Sequence, residues 1–269
     1  MKLGVTLRNM GPQSSPSTMR ECALAAEAAG FESIWITDHI AIPPDDAQGS
    51  GGRYTDTLTT LAWLAAATER IALGSGVLIL PYRPALPTAK QIATVQELSG
   101  ERLLLGVGIG WMDAEFRALG LDRHQRGRVS DELLAYLRRC FGDEVMTAHD
   151  QDFLFLPRPK CPPILIGGRA PHALRRAVNY GDGWLPMAQE PGQLAAPIQQ
   201  YRQMLEEAGK IGAVTVMSGL PQGTDAALEK LEAFAQLGVE RLVVGMRYDD
   251  VSAYRDQLGA ITELKWDQG

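Results

Sequence analysis

Short apolar segments, many of them β-branched, alternate eight times along this chain with longer stretches of helical spacing. The short segments fall at 2–8, 33–37, 71–79, 103–108, 163–167, 183–186, 213–217 and 241–245. The helical stretches fall at 17–29, 57–68, 84–98, 126–141, 171–180, 191–208, 223–237 and 249–262. Runs such as Ile34-Trp35-Ile36 and Leu103-Leu104-Leu105 are apolar at every position, as in parallel strands covered on both faces. Eight strand–helix units predict a closed (β/α)8 TIM barrel, an α/β fold of typically ~250 residues, and the chain has 269. An open doubly wound sheet needs no eighth unit. No linker divides the sequence, so residues 1–269 read as one domain.

End signals sharpen the helices. Ser17 is placed to cap the first and Gly30 to stop it; Pro171 falls where a first turn would begin, and Gly181 and Gly238 each follow a helical stretch. Two segments exceed the repeat. Residues 38–56, rich in Pro, Asp and Gly, follow the second strand. Residues 109–162 form an insertion between strands four and five, with a short helical piece near 112–119 and a strand-like run at 153–156. Such insertions emerge at the C-terminal strand ends, where barrel active sites sit.

Composition narrows the function classes. Hydrophobic residues are 45% and charged residues 22%, and the net charge is −6 with no basic stripe. Nucleic acid and anionic membrane are not expected partners. No apolar run reaches the ~20 residues of a membrane span, and the first residues read as a strand rather than a signal peptide, so a cytoplasmic location is expected. Cys22, Cys140 and Cys161 are widely spaced, with no C-x-x-C pair; they read as small buried hydrophobes, and no metal site is expected.

Four segments could carry chemistry. Thr37-Asp38-His39 ends the second strand. A carboxylate beside an imidazole can fix its tautomer or prepare it for proton transfer, yet adjacent residues on an extended chain point to opposite sides, so Asp38 and His39 can serve different partners, and a polar loop start explains them equally well. Gly74-Ser75-Gly76-Val77 removes side chains late in a strand, either for a flat group or for a layer of small residues in the barrel. Gly106-Val107-Gly108-Ile109-Gly110-Trp111 lacks the third glycine of a Rossmann fingerprint, but it allows close backbone approach, with Trp111 a wall or a plug at the rim. Ile166-Gly167-Gly168-Arg169-Ala170-Pro171 leads a strand into a helix, an anion-binding arrangement or an ordinary tight turn. Nucleophile-elbow, P-loop and H-E-x-x-H motifs are missing.

Taken in series, these stretches resemble the luciferase-like monooxygenase superfamily, in particular its small coenzyme F420-dependent oxidoreductases. The matching stretches begin with Gly30-Phe31-Glu32-Ser33-Ile34-Trp35-Ile36-Thr37-Asp38-His39 and Thr68-Glu69-Arg70-Ile71-Ala72-Leu73-Gly74-Ser75-Gly76-Val77. They continue with Leu98-Ser99-Gly100-Glu101-Arg102, Gly106 to Trp111 with Glu115-Phe116, Pro163 to Gly168, and Gly181-Asp182-Gly183-Trp184-Leu185-Pro186. Beyond about residue 187 only the barrel rhythm remains.

The resemblance implies a barrel whose mouth receives the deazaflavin ring. It implies hydride transfer between F420 and a small organic substrate, with His39 as proton donor or acceptor and Asp38 beside it. A non-prolyl cis peptide is implied at Gly76-Val77, with Gly76, Val77, Gly108, Gly110 and Trp111 along the ring. Gly167, Gly168, Arg169 and Ala170 would hold the phosphate, and a homodimer is suggested. Two departures stand out. Tyr82-Arg83-Pro84-Ala85 replaces a motif in which relatives often carry a histidine, and the segment before Pro162-Pro163 is short, which would open the substrate wall. An FMN-dependent monooxygenase served by a partner reductase is the alternative on the same barrel. A non-redox aldolase or isomerase, and a non-catalytic flavin- or deazaflavin-binding protein, are readings of other classes.

Overall fold

The computed structural model describes residues 1–187, 190–264 and 266. Its order is β1 (Lys2–Thr6), α1 (Pro16–Ala28), β2 (Ser33–Ile36), α2 (Thr57–Ala67), β3 (Ala72–Ser75), β4 (Leu78–Ile79), α3 (Ala85–Leu98) and β5 (Leu103–Gly108). The insertion follows as α4 (Asp113–Ala118), α5 (Arg126–Gly142) and the strands β6 (Met146–Ala148) and β7 (Gln151–Phe153). The chain then runs through β8 (Ile164–Gly167), α6 (His172–Tyr180), β9 (Gly183–Leu185), α7 (Pro191–Glu207), β10 (Ala213–Ser218), α8 (Thr224–Gln236), β11 (Arg241–Val244) and α9 (Val251–Thr262).

Parallel pairings run β3-β2-β1-β11-β10-β9-β8-β5, and β3 pairs with β5 to close the ring. Eight parallel strands therefore form the TIM barrel that the repeat predicts, with the helices outside. The expected third strand, 71–79, is interrupted at Gly76-Val77, whose peptide is cis as the resemblance implies. The second half, β4, pairs with β5 through Leu78↔Val107 and Ile79↔Gly108.

The all-apolar strands are explained by two packing layers. Ile34, Ile36, Leu103, Leu105, Ile164, Ile166, Leu242 and Val244 face the helices in one core. The residues between them, Trp35, Leu104, Leu165 and Val243, join Leu185 inside the barrel. Trp35 is the largest interior group, and its indole donates to Ser33 Oγ at 2.8 Å. A Cβ on Gly74 would stand 2.2 Å from the Trp35 ring, so the flat group that this glycine admits is the chain's own tryptophan. Sheet order thus converts a residue that reads as a ligand contact into interior packing.

Three boundaries differ from expectation. Helix α1 starts at Pro16, whose fixed φ suits a first position, so Ser15 is the cap and accepts from Thr18 N at 3.2 Å; Ser17 lies inside the first turn. Pro171 precedes α6 at its N-cap rather than entering the helix. The strand-like run at 153–156 is displaced to β7, which pairs antiparallel with β6. Their two-residue turn, His149-Asp150, has positive φ at both positions (49° and 61°), the conformation that a tight hairpin requires. Cys22 and Cys140 are buried, Cys161 is half-buried, and all are free. Burial pushes the Cys22 and Cys140 thiols up to about 11, which makes them packing groups rather than nucleophiles. Among the described residues no helix is long and apolar enough to cross a membrane.

Candidate active site

Asp38 and His39 follow β2, and their side chains go to different partners. The Asp38 carboxylate turns inward. It accepts from Arg83 at 2.6 and 2.8 Å through both terminal nitrogens, from Thr57 Oγ1 at 2.8 Å and from the Ile79 amide at 2.8 Å. The Asp38 and Arg83 side chains are 1% and 9% exposed. Asp38 therefore ties β2 to the loop after β4 and has no oxygen facing the barrel mouth unpartnered. Arg83 occupies the motif where the expected histidine is replaced, and it is the partner that locks Asp38.

The carboxylate that serves His39 is Glu115, at 2.8 Å from Nδ1. It sits on α4, in the insertion, and is fully buried. Glu115 also accepts from the amides of Ile40 (2.6 Å) and Ala41 (3.0 Å) and from Tyr82 Oη (3.0 Å). Burial alone would push its carboxyl up. The Ala41 and Ile40 amides and His39 outweigh that burial and hold it below the usual carboxylate range. Burial, reinforced by Glu115, pushes the Tyr82 phenol up, so Tyr82 stays a donor.

An ionised Glu115 accepts only, so Nδ1 of His39 must carry the proton that it donates. Nε2 is left without a proton and with no partner among the described residues. The His39 side chain is 17% exposed, its ring packed edge-on against Tyr54 at 4.9 Å and Trp111 at 6.3 Å. Trp111 itself is 65% exposed, a wall beside His39 rather than a plug. The arrangement can hold one imidazole in a fixed tautomer and offer its free nitrogen for proton transfer.

The depressed Glu115 has a consequence for pH. Its ionised form stabilises the folded state fully above the ordinary carboxylate value near 4.5, and that stabilisation is lost as pH falls through the lower folded value. The melting temperature of the wild type should therefore fall more steeply between about pH 5 and pH 3 than that of Glu115→Gln, measured by thermal scans. Parallel slopes for the two would show that Glu115 is not ionised in the fold.

The glycine segments converge only in part. A Cβ on Gly108 would stand 2.5 Å from Val77 Cγ2, and one on Gly167 2.9 Å from Val77 Cγ1. Gly108 and Gly167 thus flank Val77 at the top of the barrel, with Met217 Sδ filling the space beside Gly76 at 2.7 Å. Val77 and Met217 remain partly exposed above the interior cluster and form an apolar floor. Gly110 belongs elsewhere: its φ is +76°, and its empty side packs on Ile79 and Phe116. Gly168 has φ +131°, which L side chains rarely adopt. Its carbonyl accepts from the Trp184 indole at 2.9 Å, fixing the turn. Gly168, Arg169 and Ala170 line a cavity of about 400 Å³ together with Trp184 and Pro186. Arg169 is exposed and makes no ion pair among the described residues.

With this geometry in place, the family model of the luciferase-like monooxygenases matches residues 1–265. The chain belongs to that family. A 5,10-methylenetetrahydromethanopterin reductase of Methanolobus tindarius is 30% identical over 230 residues, 83% of this chain and 66% of the relative. An F420-dependent secondary alcohol dehydrogenase, solved with an F420-acetone adduct, shares the fold at a TM-score of 0.82 and 18% identity, over 99% of both chains. A type II Baeyer-Villiger monooxygenase component from Pseudomonas putida, solved with FMN, superposes at a TM-score of 0.77 and 16% identity, over 98% of this chain and 97% of that one.

Thr57 carries no signal in the sequence, and Tyr82, Arg83 and Glu115 are marked there only by the resemblance, with no role attached. Glu115 lies within a matching stretch, but nothing in its local pattern shows that it reaches His39 from 76 residues away.

Proposed function

We propose that this protein transfers hydride between coenzyme F420 and a small organic substrate, with His39 moving the accompanying proton. The observation that carries the reading is His39 clamped through Nδ1 by buried Glu115, with Nε2 unpartnered beside the barrel mouth. The methylenetetrahydromethanopterin reductase relative and the F420-dependent neighbour support it. When bound, the deazaflavin supplies the hydride chemistry.

The residues present fit such a group. Val77 and Met217 offer an apolar floor to a flat ring. Gly108 and Gly167 bring bare backbone to either side of Val77. The Gly167–Ala170 turn, with Arg169 unpaired among the described residues before α6, offers amides and a guanidinium to a phosphate. Tyr54 and Trp111 hold the imidazole plane and exclude water from one side of it. The protein's own contribution is position, tautomer and a proton path, with proximity supplying most of the rate.

FMN carries a phosphate and a similar flat ring, and the Pseudomonas putida neighbour holds it, so the same residues would suit a monooxygenase. Titration of the purified protein with each cofactor, followed by fluorescence quenching, decides between them. F420 is expected to quench to a saturable end point and FMN only weakly. Tight binding of FMN alone would reverse the assignment, and a reduced F420 complex that no substrate reoxidises would make the protein a carrier.

A further inference from the structure

The barrel mouth has a second charged wall, away from the glycine turn. A cavity of about 560 Å³ opens at the C-terminal ends of β1, β10 and β11. Met10 lines it and bridges to Tyr54, whose ring packs on His39 at 4.9 Å. Thr37, two residues before His39, and Met217 of the proposed ring floor also line it, which puts the cavity on the His39 side of the mouth. Around the ring, β11 and β1 are neighbours, whereas β8, which leads into Gly167–Ala170, is separated from β11 by β9 and β10. An anion in this cavity is thus a different anion from one at the glycine turn.

Arg8 and Arg247 both line this cavity. A guanidinium carries five N–H donors, and among the described residues Arg8 places only one, from Nη2 to the Gly49 carbonyl at 3.0 Å. Its Nε is buried without a partner. Arg102, by contrast, is spent on Ser99, Thr68, Ile71 and Ala65, and Arg241 on Glu32 and Thr215. Arg123 and Arg126 also keep a buried Nε, but they do not line this cavity. The Arg247 backbone is fixed by Gln257, which accepts from its amide at 3.2 Å and donates to its carbonyl, while its side chain makes no ion pair among the described residues. Asp249 is the one carboxylate lining the cavity, and it pairs with neither arginine.

Two cations against one carboxylate, in a chain of net charge −6, make this wall a local reversal of charge. Buried unpartnered donors are rare in folded proteins and call for a partner. The guanidinium fork matches a carboxylate or phosphate ester in geometry, and partial burial strengthens the attraction. We infer that Arg8 and Arg247 hold an anionic group of the substrate, a carboxylate or phosphate ester, in the mouth beside His39. That the bound anion is substrate rests on the redox reading above; the anion site does not.

Calorimetric titration of the full chain, without cofactor and at low salt, tests it with benzoate and inorganic phosphate as probes and benzamide as the neutral control. Benzoate and phosphate are expected to bind and benzamide not. Arg8→Gln and Arg247→Gln should each weaken benzoate roughly tenfold or more, as loss of a charge-assisted hydrogen bond does, while Arg169→Gln leaves it unchanged. Arg247 is exposed, so its variant keeps the test valid if Arg8→Gln loosens the loop at Gly49. Absent binding, equal binding in both arginine variants, or loss in Arg169→Gln overturns the inference. In a second arm, both variants should bind F420 or FMN as the wild type does. Weakening as large as in Arg169→Gln would assign the anion to the cofactor and likewise overturn it. Benzoate neither reacts nor needs a cofactor, so failure of cofactor binding would sink the redox reading alone.

Discussion

Replacing His39 by alanine is expected to lower turnover by about 10²–10⁴-fold, the usual contribution of one general acid or base, and to leave cofactor binding within a few-fold of wild type. The two effects separate because His39 is held by the protein rather than by a ligand. Its Nδ1 belongs to Glu115 at 2.8 Å, and its ring rests on Tyr54 and Trp111. The proposed cofactor floor lies elsewhere, with Val77 between β3 and β4 and Met217 on β10. Alanine leaves Glu115 with three other donors, the Ile40 and Ala41 amides and Tyr82, so the fold should survive. Steady-state rates with reduced F420, alongside fluorescence titration, measure both quantities. A variant with wild-type turnover would remove His39 from the mechanism.

Replacing Asp38 by alanine should act on stability first, by about 3 kcal/mol, the lower end for breaking a buried ion pair, because Arg83 retains the half-exposed Asp56. Arg83 would lose both of its short contacts to the carboxylate and keep only Asp56 at 3.2 Å and the Ile79 carbonyl at 3.3 Å. Thr57 Oγ1 would keep its bond to the Thr37 carbonyl at 2.9 Å, but the Ile79 amide would be orphaned. Urea midpoints report the loss. Pairing Asp38→Ala with Arg83→Met, which removes the stranded charge, should recover part of it. A stability within about 1 kcal/mol of wild type, with turnover abolished, would mean that Asp38 acts on substrate rather than on Arg83.

These two neighbours show how far local pattern carries. That Asp38 and His39 serve different partners follows from the alternation of an extended chain, and the structure bears this out. Which partners they serve does not follow, since Arg83 and Glu115 lie 45 and 76 residues away. The two glycine segments divide the same way. The cis peptide at Gly76-Val77 is the one the resemblance implies, whereas the packing of Gly108 and Gly167 on either side of Val77 appears only in the fold. Gly74 instead makes room for Trp35, its register partner across β2 and β3, and Gly110 for Phe116 on α4, contacts set by which elements come to lie side by side.

Strand and helix periodicity, loop length and the count of eight units are properties of nearest neighbours in the chain. They sufficed for the barrel and for placing the long insertions at its mouth. Charge pairing across the mouth belongs to the tertiary structure alone. Contact between β2 and α4, or between the ends of β1 and β11, depends on the register in which distant strands come together, and no spacing along the sequence encodes that distance.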